Sequence, residues 1–173
     1  MFIPGQLISI VTFPGVIFHE LGHKLFCDWT GVRVQKVCYF RFGNPAGYVA
    51  HEHPQNFKQS FFISVGPFIT GTIFALLFFL ISKIFPTESG IELLFIWIGG
   101  SIAMNSFPSS GDAKVLWKET NRHTKDNFLA VIGYPFALII WIANILSVIW
   151  FDLIYAVLLY SLINPQLWIS FFS

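Results

Sequence analysis

The chain has 173 residues, of which 55% are hydrophobic, 18% are aromatic and only 11% are charged, and its formal net charge is +1. A soluble domain is far less apolar than this, so much of the surface is expected to face lipid. The near-neutral charge gives no reason to expect a nucleic acid as partner. Two cysteines, Cys27 and Cys38, cannot form a disulfide framework and are expected to be free thiols.

Long apolar runs recur along the chain, and a membrane-spanning helix needs about 20 mainly apolar residues. The sequence therefore predicts one domain over residues 1–173, an all-α polytopic membrane protein with four or five transmembrane helices. The Pro14-Gly15 pair is expected to kink the first of them. The last apolar run is too long for one span, and Asp152 suggests a break in it. The expected spans are 7–28, 61–85, 91–108 and 128–150, with 152–170 as the fifth.

The segment between the first two predicted helices has the pattern of a small β-hairpin. Even-numbered positions from Val34 to Phe42 are apolar except Lys36, residues 43–47 are rich in turn formers, and extended propensity resumes over 48–50. We predict a hairpin at the membrane interface; the alternative is an irregular loop.

The first predicted helix carries the sequence His19-Glu20-Leu21-Gly22-His23. Two histidines four residues apart project from one face of a helix, so their ring nitrogens can converge on one metal ion. Glu20 is too close in sequence to be an easy third ligand, but it is well placed to take a proton from an attacking water. This is the H-E-x-x-H arrangement of zinc hydrolases. The alternative is that the histidines only hydrogen-bond inside a helix bundle, but three ionisable residues in an apolar helix favour the metal.

A catalytic zinc site takes three protein ligands and leaves a fourth position open. Asp112 follows the third predicted helix, where Pro108 and Gly111 break the chain as it leaves the membrane. We predict Asp112 as the third ligand. The alternative is that it caps the following helix, a common role for Asp after Gly.

The positions of basic residues predict which loops are cytoplasmic. The first and third loops are basic, whereas the connection between the second and third helices has Lys83 against Glu88 and Glu92. This distribution predicts an N-terminus outside, and places the ends of the first and third helices on the cytoplasmic side at similar depth. The basic residues are Arg33, Lys36, Arg41 and Lys58 in the first loop, and Lys114, Lys118, Arg122 and Lys125 in the third. Residues 111–127 are expected to be a solvated amphipathic stretch.

The motif in the first helix, with Asn105, Pro108 and Asp112 after the third, resembles the site-2 protease family of intramembrane zinc metalloproteases. The resemblance covers about residues 7–127. It implies that His19, His23 and Asp112 bind one zinc ion per chain and that Glu20 is the general base. The family's distal Asp is usually followed by Gly, and here Ala113 follows, which indicates a divergent branch. No PDZ or CBS module is recognisable.

The sequence therefore predicts a zinc endopeptidase that cleaves a transmembrane protein or peptide in the lipid bilayer. Asn105 could hydrogen-bond the oxyanion or orient a neighbouring group; both roles stay open. Residues 47–50 are the candidate edge strand that would hold unwound substrate. The competing function is non-enzymatic metal transport or sensing, but carriers need ligands at successive depths, and the other helices offer few. A structural scaffold would leave Glu20 unexplained.

Other side chains compete for a metal ion. Cys27 continues the helix stripe of the two histidines, although a thiolate from the same straight helix reaches a common ion poorly. His51 and His53 would share one side of a strand and could hold a second ion, but surface histidines beside Pro54 are the simpler expectation. His123 is expected to face solvent.

Overall fold

The structure is a computed structural model that describes residues 5–87 and 89–166. The described chain is mostly helical, with one two-stranded antiparallel sheet, as predicted. The elements in chain order are α1 (Gly5–Val11), α2 (Phe13–Thr30), β1 (Val34–Cys38), β2 (Tyr48–His51), α3 (Phe57–Ser82), α4 (Gly90–Met104), α5 (Ser110–His123), α6 (Gly133–Leu146) and α7 (Phe151–Ile163).

The first predicted helix is divided in two, and the break lies at Thr12 rather than at Pro14-Gly15. Pro14 stands in the first turn of α2, where its missing N–H removes no helical hydrogen bond. The proline therefore starts a helix instead of kinking one. Helix α2 ends at Thr30 and is capped by Gly31, whose φ of 74° is left-handed and suits glycine.

The other helix ends also differ from prediction. Helix α3 starts earlier, because the Asn56 side chain caps it by accepting from the Gln59 N–H. Helix α4 ends at Met104, sooner than residue 108. The last apolar run breaks at Trp150, which has a φ of 63°, two residues before the expected break at Asp152. Helix α7 ends at Ile163, and residues 167–170 of the predicted fifth helix lie outside the described residues.

The predicted hairpin is present, and its irregularity explains the imperfect alternation. Strand β1 pairs antiparallel with β2, with Val37 opposite Val49 and Cys38 opposite Tyr48. The register shifts between Val34 and Lys36, so Gln35 is the extra residue of a bulge. Because one residue is added there, Lys36 changes face relative to a regular strand.

Two stretches are long and apolar enough to cross a membrane, Phe57–Ser82 and Phe128–Ile149, and α4 and α7 are shorter apolar helices. Large apolar side chains are widely exposed on these helices; Ile145 is 69% and Leu162 70% exposed. A soluble monomer rarely exposes so much contiguous apolar surface. These features support membrane association.

Glycines let α2 pack directly on the backbones of its neighbours. A Cβ on Gly22 would lie 2.7 Å from the Pro67 Cα in α3, and one on Gly15 would lie 1.9 Å from the Ser101 carbonyl oxygen in α4. Any side chain at these positions would push the helices apart. Helix α2, which carries the histidines, is therefore held closely between α3 and α4.

Helix α5 is not simply a solvated stretch. It buries one face, including Ala113, Leu116 and Thr120, while its other face is exposed. Ala113 and Leu116 belong to a core cluster with Phe57 of α3 and Ile140 of α6. This packing fixes the start of α5, which carries Asp112, against the helical bundle.

Candidate metal centre

The two motif histidines are oriented by backbone carbonyls on neighbouring helices. The Nδ1–H of His19 donates to the Asn105 carbonyl oxygen at 2.8 Å, and the Nδ1–H of His23 donates to the Ile63 carbonyl oxygen at 2.9 Å. A carbonyl oxygen can only accept, so each neutral ring keeps its lone pair on Nε2. Histidines that bind metals in proteins are usually oriented in this way by a second hydrogen bond.

Asp112 has two roles that the sequence presented as alternatives. Its Oδ2 accepts from the Ser109 N–H at 2.7 Å, while the Ser109 hydroxyl accepts from the Asp112 N–H at 3.2 Å, which forms a capping box. Its Oδ1 lies 3.5 Å from the Nε2 of His23. Because a carboxylate has two oxygens, Asp112 caps α5 with one and faces the histidines with the other.

The electrostatic setting of Asp112 favours the ionised carboxylate. Burial by itself raises the pKa of this group, but the positive charge that the imidazoles of His23 and His19 carry when protonated, together with the hydrogen bond from Ser109, outweighs burial and holds the pKa well below its usual range. The ionised form is the one that ligates a metal.

His19, His23 and Asp112, here called the HHD trio, place one ligand atom each within 4.8 Å of one another. Among residues 5–87 and 89–166, this is the only trio with such geometry. Lone pairs that face each other across this partly buried gap repel unless a proton or a metal cation lies between them. Two imidazole nitrogens and one carboxylate oxygen are a donor set that zinc takes in catalytic sites, so the residues present fit zinc.

Glu20 lies beside the HHD trio and under the hairpin. Its residue exposure is only 7%. The turn between β1 and β2 rests on it, because a Cβ on Gly47 would lie 2.7 Å from the Glu20 Cγ and 3.0 Å from its Oε1. A cavity of about 280 Å³ opens at this point, lined by His19, Glu20, the hairpin turn and residues from the later helices.

Asn105 joins α4 to the start of α2. Its Nδ2 donates to the Thr12 hydroxyl at 3.0 Å and to the Ser101 carbonyl at 2.9 Å, while its backbone oxygen accepts from His19. Asn105 therefore positions His19 and links two helices. It also lines the cavity, and its contact with an oxyanion stays a prediction.

Sequence reasoning missed two groups that line the cavity, Asn144 of α6 and Ser147 just after it; Asp152, which the sequence singled out as a helix break, lines the cavity too. The Nδ2 of Asn144 donates to the Pro108 carbonyl oxygen at 2.9 Å, which ties α6 to the segment that leads to Asp112. The available signal was a lone amide in an otherwise apolar run, which marks a polar contact inside a bundle.

The competing ligands lie elsewhere. Cys27 is fully buried against Val32 and Ile63, outside the HHD trio. At the exposed end of the hairpin, the Nδ1–H of His51 donates to the backbone carbonyl of Glu52. The expectation that His123 faces solvent is wrong, because its side chain is only 20% exposed and its Nε2 lies 3.5 Å from Glu119 on the packed face of α5.

Comparisons with family models, characterised proteins and solved structures find no match to this chain. Function is therefore inferred from the geometry of the site itself.

Proposed function

We propose that this chain is an intramembrane zinc endopeptidase that hydrolyses peptide bonds of membrane-embedded substrates. The observation that carries the proposal is the HHD trio, whose ligand atoms lie within 4.8 Å of one another beside the buried carboxyl of Glu20. A metal site with an adjacent base in a cavity of about 280 Å³ is the machinery of metal-assisted hydrolysis. The resemblance to the site-2 protease family supports the same activity.

The chain's own residues divide the chemistry between them. His19 and His23 present Nε2 lone pairs and Asp112 presents Oδ1, which together would hold the ion. A zinc ion bound there supplies Lewis acidity, which lowers the pKa of water to about 7 and polarises the scissile carbonyl. Glu20 takes the proton of the attacking water and delivers it to the leaving amine.

The proposed membrane arrangement has four or five spans: α1 with α2, α3, α4, the 128–149 stretch and α7. The basic loops lie in the cytoplasm, the N-terminus lies outside, and the site faces the cytoplasmic side. Helix α4 has 15 residues, about 22 Å of helix, which is less than the ~30 Å hydrocarbon core. The bilayer would therefore thin beside the site, which favours access of water.

A peptide bond in a substrate helix is protected by its own hydrogen bonds, so the substrate must unwind before cleavage. Strand β2 provides an edge for it: among the described residues the sheet has two strands, which leaves one side of β2 unpaired, and Gly47 just before β2 contacts Glu20. An unwound substrate that adds to this edge would bring its backbone to the general base.

Val49→Pro should abolish cleavage while the purified protein keeps its zinc, because proline lacks the N–H and the conformational freedom that strand pairing needs. Gln35→Pro is the matched control, since Gln35 lies at the bulge of β1 and proline is tolerated at a bulge. Cleavage of a labelled transmembrane peptide in liposomes measures the effect. Equal activity of Val49→Pro and wild type would exclude the β2 edge as the substrate site.

The activity itself is tested with the purified chain in liposomes that contain a labelled transmembrane peptide. We expect cleavage that stops when a zinc chelator strips the metal and returns when Zn²⁺ is added back. An exposed soluble peptide tests whether the bilayer is required. Zinc-loaded protein that cleaves neither substrate, but moves Zn²⁺ across the liposome membrane, would overturn the peptidase in favour of a carrier.

A further inference from the structure

A second set of metal-ligating side chains lies on α5, away from the HHD trio. Glu119 is almost completely buried, with 1% of its surface exposed. Its Oε1 lies 3.3 Å from the Nε2 of His53, and its Oε2 lies 3.5 Å from the Nε2 of His123. Arg122 approaches Oε2 at 3.8 Å, but its side chain is 62% exposed. His53, Glu119 and His123 are here called the Glu119 cluster.

The Glu119 cluster contains buried polar atoms without partners. In the described part of the chain, three buried side-chain atoms form no hydrogen bond, and two of them are Glu119 Oε2 and His123 Nε2, which face each other. A buried carboxylate oxygen without a hydrogen bond is costly. Arg122 does not remove this cost, because its guanidinium lies 3.8 Å from Oε2, which is too far for a hydrogen bond.

The tautomer of His53 determines which of its ring nitrogens can bind a metal ion. Its Nδ1–H donates to the Pro54 carbonyl oxygen at 2.7 Å, so the neutral ring keeps its lone pair on Nε2. That lone pair faces Glu119 Oε1. At this distance either a proton on Nε2 or a metal ion must lie between the two atoms. His23 shows the same combination, with Nδ1 bonded to a carbonyl and Nε2 facing a carboxylate oxygen.

The distances suit a metal ion. Ligand bonds of about 2.0–2.1 Å in a tetrahedral site place neighbouring ligand atoms about 3.3 Å apart. The two edges of the Glu119 cluster run to different oxygens of the carboxylate, Oε1 at 3.3 Å and Oε2 at 3.5 Å, and the His23–Asp112 edge of the HHD trio is also 3.5 Å. The Glu119 cluster does not hold all three ligand atoms within 4.8 Å of one another, so His53 must turn to close it. His53 is 58% exposed and lies after β2, which leaves it room to turn.

We propose that His53, Glu119 and His123 bind a second divalent transition-metal ion of the Zn²⁺ class. Two imidazoles and a carboxylate suit zinc better than the hard ions Mg²⁺ or Ca²⁺, which prefer oxygen. The ion would join the segment after β2 to α5, whose first turn carries Asp112. It would therefore stabilise the position of the hairpin over Glu20 relative to the helix that supplies the third ligand.

The test is the number of zinc ions that the full-length purified chain binds in detergent, measured by elemental analysis after equilibration with excess Zn²⁺ and removal of free metal. Wild type should bind two ions. His53→Ala/His123→Ala and Glu119→Gln should each bind one, because each removes ligands from the Glu119 cluster only. His51→Ala is the matched control and should bind two, since His51 lies two residues before His53 at the end of β2 and its ring hydrogen-bonds a backbone carbonyl.

His19→Ala/His23→Ala separates this proposal from the proposed function, because it removes only the HHD trio and should retain one ion at the Glu119 cluster. If that variant binds none while wild type binds one, the second site does not exist and the first stands. An unchanged zinc count in both His53→Ala/His123→Ala and Glu119→Gln would also overturn the second site. A wild-type count of zero would overturn both sites together.

Discussion

Glu20→Gln should leave the zinc content of the protein unchanged and lower the cleavage rate by about 10²–10⁴-fold. The amide has nearly the same shape as the carboxyl, so the contact with the hairpin at Gly47 should survive. The amide cannot accept the proton of the attacking water, which removes the general base. The measurement pairs elemental analysis of zinc with initial rates on a transmembrane peptide in liposomes.

Glu52→Gln provides the control for this change, because Glu52 lies on the exposed side of the hairpin region and is 3.9 Å from Arg33. It should cleave at the wild-type rate. If Glu20→Gln cleaves within a factor of about two of wild type, Glu20 is not the base and the proposed chemistry fails. If it loses zinc as well as activity, Glu20 is a ligand and its assignment must change.

Asp112→Ala should release zinc and abolish cleavage. The loss of a residue that only orients a metal ligand already costs about 10–100-fold in affinity, so the loss of a ligand itself should cost at least ~100-fold. The substitution also removes the capping box that Asp112 forms with Ser109, which should destabilise α5 by about 0.5–2 kcal/mol. Zinc affinity by competition with a chromophoric chelator measures the first effect, and thermal unfolding measures the second.

Two variants separate these effects. Ser109→Ala removes the hydroxyl that accepts from the Asp112 N–H but keeps Oδ1, so it should reproduce the loss of stability and retain zinc. Asp126→Ala changes an exposed aspartate beyond the end of α5, and this variant should keep both the stability and the zinc affinity of the wild type. Zinc affinity of Asp112→Ala equal to that of Ser109→Ala would mean that Asp112 only caps the helix.

The two candidate metal sites share one structural element, helix α5. Helix α5 supplies Asp112 near its start and Glu119 with His123 near its end. The hairpin region rests on Glu20 through Gly47 and reaches Glu119 through His53. Closure of the Glu119 cluster would therefore act on the hairpin that covers the general base. Binding of a second ion would therefore affect the position of the hairpin over Glu20 through these two contacts.

Local patterns determined a large part of what could be predicted. The spacing of His19 and His23 depends only on helix periodicity, which is a local property. The apolar runs predicted the positions of the main helices, and the turn-rich residues 43–47 predicted the hairpin. These features hold because backbone hydrogen bonding and side-chain spacing act within a few residues. The end points of the helices shifted because capping by Asn56 and the left-handed Trp150 are decided by single residues.

The sequence by itself determined the motif, the helical character and the candidate third ligand. Only the tertiary structure showed that Asp112 caps α5 and faces His23 at once, that Gly47 contacts Glu20, and that His53 and His123 reach Glu119 from separate segments. Except for His123, which lies four residues from Glu119 on α5, these contacts join residues that the packing of the hairpin region, α2 and α5 brings together. Glu119 is buried because of the face that α5 packs against the helical bundle. The amphipathic charge pattern alone could not show this contact, and it predicted a solvated segment.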